Sequence, residues 1–383
     1  MKLATVVLAA GEGTRMKSRQ TKLLHRLAGK PVAQYAVDIA RAVGAEETVF
    51  VIGKDGDVVR EVGGEEKVSY VVQAERKGTG HAAMQARAAL EDRFDLVLVY
   101  YGDMPLLKPE TMRRLVESQQ RGQSILTILT LIHHESMGFG RVIRGDDGRV
   151  LEVVEEKNCT PEQLRIDELN AGLYCFDAGW LWSHIDRIPL NPVKKEYYLT
   201  DMIGIAVADG QRVDAVVTRD ADETIGINNR VHLSWCERVM RGRINERLML
   251  DGVTLQDPAS TYIDAAVRIG ADTVVLANTH IRGDTVIGED CEIGPNTVIE
   301  DCQIGDRCRV TASVLEEAVM EDDSNIGPFG HLRKGARLCR GAHMGNFGEM
   351  KNSTLGPGAK MGHFSYLGDA TVGAEANIGA GTI

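Results

Sequence analysis

No uninterrupted apolar run in the 383 residues reaches membrane-spanning length, and the N-terminus lacks the pattern of a secretory leader. Net positive charge is missing too. The 55 acidic and 44 basic residues leave −11, which argues against a nucleic-acid or anionic-membrane surface and leaves anion binding to local loops. The seven cysteines (159, 175, 236, 291, 302, 308 and 339) form no Cys-x-x-Cys, and the ten histidines form no His-x-x-x-His. Neither a zinc site nor a redox pair is favoured, and free, buried thiols are expected. The adjacent His133 and His134 read as surface. Aromatic residues are scarce, at 5%. Met1-Lys2 leads straight into an apolar strand, so a cytoplasmic protein with no membrane and no nucleic-acid partner is expected.

Two familiar phosphate loops are absent from the first strand–loop segment. The P-loop spacing is not met, and Met16 stands where a dinucleotide fingerprint requires its third glycine. What stands there is an apolar segment, 3–10, running into Gly11-Glu12-Gly13-Thr14-Arg15, with Lys22 seven residues after the arginine. Glycines let backbone N–H groups approach an anion, and Arg15 and Lys22 add positive charge where a triphosphate would lie.

The length points to two domains, and the two halves have different periods. Up to residue 228, short apolar runs at 5–10, 48–52, 68–72, 96–101 and 124–131 alternate with helical stretches at 32–43, 79–90 and 109–120. That order predicts an α/β fold with a mainly parallel sheet. Ligands in such folds bind beyond the carboxyl ends of the strands, so the 11–15 loop and Gly102-Asp103 are expected to share one crevice. Asp103 is a candidate Mg²⁺ ligand there; alone it would read as a cap for the Pro105 turn. Residues 229–252 read as a linking helix. From 253 to 383 aliphatic residues recur six apart, from Ile263 through Ile269, Val275, Ile281, Ile287 and Ile293 to Ile299. The phase slips to Ile304 and Val310, resumes from Met320 to Met350, then slips again at Leu355 and at Val372. Such hexads mark a parallel β-helix, with the aliphatic residue inside and small residues at the corners. The few aromatics suit so thin a prism.

Several motifs occur in order along the chain: Leu8-Ala-Ala-Gly-Glu-Gly-Thr-Arg-Met16, Gln73-Ala-Glu-Arg-Lys-Gly-Thr-Gly-His81, Tyr101-Gly-Asp-Met-Pro105, Gly138-Phe-Gly-Arg141, Glu196-Tyr-Tyr-Leu-Thr-Asp201, Ile227-Asn-Asn-Arg230 and Gly362-His-Phe-Ser-Tyr-Leu-Gly-Asp369. Together they resemble the bifunctional N-acetylglucosamine-1-phosphate uridyltransferase/glucosamine-1-phosphate acetyltransferase (GlmU) family. The resemblance implies a Rossmann-like nucleotidyltransferase domain (1–228) followed by a left-handed parallel β-helix (253–383). It also implies transfer of UMP from UTP to N-acetylglucosamine 1-phosphate, and acetylation of glucosamine 1-phosphate by acetyl-CoA in the second half. By resemblance Ala9, Ala10, Gly11, Gly13, Arg15, Lys22, Gln73, Gly78 and Thr79 hold the nucleotide, Arg15 and Lys22 acting in catalysis. Tyr101, Gly140, Glu155, Asn170 and Asn228 face the sugar, and Asp103 with Asn228 holds Mg²⁺. His363 is the acetyl-transfer base, with Arg333, Lys351, Tyr366 and Asn377 around its substrate.

The family assembles as a homotrimer, which the repeat alone does not establish. Ala171 departs from the pattern, which usually has a threonine there; two outcomes are open, a lost hydroxyl contact that loosens sugar recognition or a water that takes its place. The chain stops at Ile383 in mid-repeat, so truncation and an impaired acetyltransferase site are expected. Two rivals remain: another sugar-1-phosphate nucleotidyltransferase whose β-helix is only a trimerisation scaffold, and a non-catalytic regulatory subunit. Retention of Arg15, Lys22 and Asp103 speaks against the latter.

Overall fold

Charge-free runs rich in Val, Leu and Ile are buried on both faces only if helices cover them, and that is how the first strands lie. In the computed structural model, which describes residues 1–54, 68–122, 124–135 and 137–383, β1 (Leu3–Ala9) pairs in parallel with β2 (Glu47–Ile52) and with β4 (Leu96–Tyr101). β3 (Val68–Val72) adds to β2 in parallel. On the other side stand β5 (Leu126–Ile132), β8 (Glu168–Asp177) and β9 (Val213–Thr218), giving the order β9-β5-β8-β4-β1-β2-β3. β6 (Arg141–Arg144) and β7 (Val150–Val154) form a hairpin attached to β8.

The expected α/β sheet is therefore present, with one correction at its centre. β8 runs antiparallel to both β4 and β5. It was hidden in the sequence because Asn170 and Gly172 interrupt it like a turn; in the fold they form an irregularity where the β8–β5 register shifts between Asn170 and Tyr174. The helix expected at 79–90 is likewise two, α2 (Gly78–Met84) and α3 (Arg87–Leu90). The helices α1 (Val32–Ala42) and α4 (Pro109–Arg121) end within one residue of expectation. Contacts divide the chain into a unit of Met1–Leu27 with Pro31–Cys236 and a unit of Ala28–Lys30 with Glu237–Ile383. A 21-residue helix spans Arg230–Leu250.

In the second unit, short parallel strands stack into three sheets of eight, seven and seven strands. This is a three-sided parallel β-helix. Ile281, Ile293, Ile299, Val310, Leu332 and Met344 are wholly buried in its core. Partners lie eighteen residues apart where Val275 faces Ile293, seventeen where Ile293 faces Val310, and sixteen where Val310 faces Ile326. The phase slips in the sequence are thus shortened coils. Leu315, which the six-residue count passes over, occupies the shortened stretch and pairs with Ile299 and Leu332.

Corners carry small hydroxyl or thiol side chains that satisfy turn carbonyls. Thr273 Oγ1 donates to Gly288 O at 2.8 Å, and Ser324 Oγ to Glu321 O at 2.6 Å. Cys291 and Cys308 fill the same column between these two, Cys308 N donating to Cys291 Sγ at 3.4 Å. Their role is that of the threonine below and the serine above. Cys302 belongs to a different face, beside the strand Gln303–Ile304. All seven thiols are free; five are buried, while Cys159 and Cys339 are partly exposed, against the expectation for those two. Where the backbones of successive coils touch, only glycine fits: a Cβ on Gly345 would lie 2.0 Å from Gly362 O.

Candidate functional site

β1 delivers the glycine loop to the carboxyl edge of the sheet. Gly13 adopts φ +64, and a Cβ there would meet Lys22 Cβ at 3.1 Å and Cγ at 3.3 Å. Glycine is thus required twice, for the backbone turn and for the lysine stem that crosses it. Two single-turn helices follow, Thr14–Met16 and Lys22–Leu24. Met16 and Leu23, each 1% exposed, plug the core. The neighbouring cations, Arg15 and Lys22, each find an oxygen on another segment.

Lys22 Nζ forms an ion pair with Asp103 Oδ2, and Arg15 Nη2 donates to Asn228 Oδ1 at 2.8 Å. Asp103 follows β4, and its backbone carbonyl accepts from Ile227 N at 2.8 Å, which ties the two oxygen-bearing segments together. A Cβ on Gly226 would lie 3.5 Å from Asp103 Oδ1 and 3.7 Å from the Asn228 amide nitrogen, so both side chains converge on the space that glycine leaves. The donor set is one carboxylate and one carboxamide. Among the described residues no group of three or more His, Cys, Asp or Glu is arranged to hold a metal. A hard cation that takes most of its ligands from phosphates and water fits this pair; a zinc-type cage does not.

The segment after β3 holds the residues expected to read the base. Gln73 is buried, donates from its backbone N–H to Ile52 O at 2.8 Å, and donates from Nε2 to Gly78 O at 3.0 Å. Thr79 Oγ1 accepts from Leu199 N at 3.0 Å. Gly78 sits at φ +92, where a Cβ would be 2.5 Å from Tyr197 O. The Glu196–Asp201 motif therefore packs directly on the Gly78-Thr79 turn.

The expected sugar residues also gather. Asn170 N donates to Gly140 O at 2.9 Å, and Asn170 Nδ2 to Tyr174 Oη at 2.8 Å. Tyr101 lies over Gly172, where a Cβ would be 2.7 Å from its ring. Loss of hydration, then the negative charges of Asp103 and Glu155, push the Tyr101 phenol well above its usual range. Glu155 is open to solvent on one side, yet reduced hydration raises its carboxyl above the ordinary value, against the pull of Lys157. Burial, with repulsion from Glu155, raises Asp201 as well. Ala171, the departure from the pattern, is 2% exposed.

In the β-helix, Arg333 and Lys351 follow the paired core residues Leu332 and Met350 on adjacent strands. Arg333 Nη1 donates to Glu349 Oε1 at 2.9 Å, and Glu349 pairs with Tyr366 on the next strand. His363 is exposed in the turn between the strands Lys360–Met361 and Ser365–Gly368. Asn377 pairs with Lys360, on the sheet before that turn.

Three groups escaped the sequence reading. Asp201 and Tyr198 join Glu155 in an acidic cluster; burial, Glu196, Glu155 and Asp201 raise the Tyr198 phenol. Arg230 donates from Nε to Met16 O at 3.3 Å and lies 3.4 Å from His25 Nδ1, so it touches both cation-bearing turns. Burial and then the Arg230 charge hold the His25 imidazole below its ordinary value. Arg76 reaches the glycine loop. The motifs containing these residues were visible, but nothing in them gave the distant partners.

Residues 5–140 match the MobA-like NTP transferase domain, and residues 266–301 the bacterial transferase hexapeptide of six repeats. The chain is 44% identical over 384 residues to the bifunctional protein GlmU of Lactobacillus delbrueckii subsp. bulgaricus, covering 100% of this chain and 83% of that one. It is 44% identical to the protein of the same name from an Exiguobacterium species, covering 100% and 85%. The crystal structure of a UDP-glucose pyrophosphorylase complexed with UDP-glucose superposes with a TM-score of 0.52 at 19% identity, over 63% of this chain and 100% of that one. At that identity the likeness is one of fold alone. Among the described residues no helix is long and apolar enough to cross a membrane.

Proposed function

The chain belongs to the GlmU family of bifunctional proteins, and from that premise we propose how its own residues divide the two reactions. It transfers UMP from UTP to N-acetylglucosamine 1-phosphate, giving UDP-N-acetylglucosamine and pyrophosphate, and it acetylates glucosamine 1-phosphate with acetyl-CoA. We assign the first reaction to residues 1–228 and the second to residues 253–383, joined by a helix within 229–252.

The observation that carries the first assignment is the crossed pairing of Lys22 with Asp103 and of Arg15 with Asn228. Two cations and two oxygen donors are held together at the mouth of a glycine loop. A triphosphate would give Lys22 and Arg15 anionic partners, and Asp103 and Asn228 are the residues that would hold Mg²⁺ beside it. When bound, Mg²⁺ supplies charge neutralisation across the phosphate oxygens. A phosphate oxygen of the sugar phosphate forms a bond to the α-phosphorus of UTP as the bond to the bridging oxygen of pyrophosphate breaks. The attacking oxygen is already anionic, so no strong base is required. What the chain contributes is alignment and positive charge. Gln73, Gly78 and Thr79 hold the uracil; Tyr101, Gly140, Glu155 and Asn170 hold the sugar.

In the second reaction His363 takes the proton as the amine attacks the thioester. Arg333 and Lys351 hold the sugar phosphate, with Tyr366 and Asn377 beside it. Assembly as a trimer is supported by exposed phenyl rings on successive coils. Phe329, Phe347 and Phe364 are 58%, 62% and 62% exposed, and the first two stack at 5.3 Å. Apolar surface of that kind suits a face between copies. Free thiols suit the cytoplasm.

The test is a double dissociation. Lys22→Ala is expected to lower UMP transfer about a hundredfold or more while acetyl transfer persists. His363→Ala is expected to lower acetyl transfer by about the same factor while UMP transfer persists. Near-normal UMP transfer in Lys22→Ala would sink the first assignment.

A further inference from the structure

The phosphate loop contains a carboxylate, Glu12, between its two glycines, where negative charge opposes a triphosphate. The structure pairs that carboxylate with Arg76, whose Nη1 forms an ion pair with Glu12 Oε1. Arg76 Nε donates to Ala10 O at 3.0 Å, at the end of β1. The guanidinium fills a space left by Gly53, at the end of β2: a Cβ there would lie 3.1 Å from Arg76 Nη2 and 3.3 Å from Ala10 O. One planar fork thus spans the carboxyl ends of two strands and the loop between them. A lysine, with a single charged nitrogen, cannot reproduce both contacts in that geometry. Arg76 belongs to the segment that carries Gln73, Gly78 and Thr79, so the fork also joins the base-holding turn to the phosphate-holding loop.

We propose that Arg76 is a positioning residue for the nucleotide, cancelling the charge of Glu12 and fixing the phosphate loop from the base side. The inference rests on the glycine loop being the triphosphate site. Its consequence is selective: UTP binding depends on Arg76, and sugar phosphate binding does not. The Arg76 side chain is 39% exposed and is not among the buried residues of the core, so its removal is expected to leave the fold intact.

The experiment measures initial rates of pyrophosphate release while UTP and N-acetylglucosamine 1-phosphate are varied separately. The proteins compared are wild type, Arg76→Met, Arg76→Lys, Glu12→Gln, the Arg76→Met/Glu12→Gln double variant and Lys22→Ala. Arg76→Met is expected to raise KM for UTP roughly tenfold, a change of about 1.4 kcal/mol, and to leave KM for the sugar phosphate and the melting midpoint as in wild type. Adding Glu12→Gln is expected to recover part of that loss, because the repelling carboxylate is gone. Arg76→Lys is expected to fall between Arg76→Met and wild type. Equal rises in both KM values, or no recovery in the double variant, would overturn the proposal. If Arg76→Met fails to fold, Glu12→Gln alone decides: an unchanged or lower KM for UTP supports charge cancellation, and a tenfold rise contradicts it. Lys22→Ala separates the two levels of inference. Loss of activity there with wild-type kinetics in Arg76→Met removes only the Arg76 proposal; full activity there removes the phosphate-loop assignment beneath it.

Discussion

Glu155 and Asp201 are carboxyls that the fold holds in an unfavourable state. Reduced hydration raises both above their ordinary values, and repulsion from Glu155 adds to the rise of Asp201. Between the ordinary and the raised value the folded chain binds more protons than the unfolded chain, so stability from this pair falls as pH rises through that window. The cost therefore grows with pH. Glu155→Gln is therefore expected to raise the melting midpoint at pH 7 and to leave it nearly unchanged at pH 4, while raising KM for N-acetylglucosamine 1-phosphate. Thermal melts at the two pH values check the first part and kinetics the second; a lower midpoint at pH 7 would contradict the account. At this scale the legible residues were those whose type and spacing carry their chemistry, namely Gly11, Gly13, Arg15, Lys22 and Asp103. Glu155 and Asn170 entered through resemblance alone, because one follows the end of β7 and the other sits at the register shift of β8, and neither carries a pattern. The link from Arg76 to Ala10 was not legible, since sequence order does not reveal which distant carbonyl a guanidinium meets.

Among the elements, the hexads were the easiest to read, because each coil repeats one packing decision. The same periodicity lost Leu315, where two shortened stretches place core residues off the six-residue count. β8 was lost for a different reason: its centre carries Asn170 and Gly172, residues that favour turns, and only burial between β4 and β5 keeps it a strand. Tertiary pairing outweighs local propensity there. Ile299 is wholly buried between Ile281 and Leu315 on neighbouring coils. Ile299→Ala is expected to destabilise the β-helix by about 2–5 kcal/mol. The exposed neighbour Glu300→Ala is expected to change it by about 0.5 kcal/mol or less. Denaturant titration of the two variants decides, and equal midpoints would contradict inward packing of the aliphatic position.

For the molecule as a whole, a net charge of −11 and a triphosphate substrate are reconciled by keeping positive charge local. Lys22 and Arg15 sit at the end of β1, already paired with Asp103 and Asn228, and Arg76 offsets the one carboxylate within the loop. On the proposed assignment, catalysis depends on a few side chains held by the sheet edge rather than on the field of the whole protein. The central claim is that Asp103, held by β4 and set against Lys22, supplies the carboxylate for Mg²⁺ at the triphosphate. The most direct measurement is pyrophosphate release from UTP and N-acetylglucosamine 1-phosphate across a Mg²⁺ titration, with wild type beside Asp103→Ala. The account predicts a rate lowered about a hundredfold or more in the variant, with half-saturation shifted to higher Mg²⁺. A variant with the wild-type rate and the wild-type Mg²⁺ dependence would contradict it.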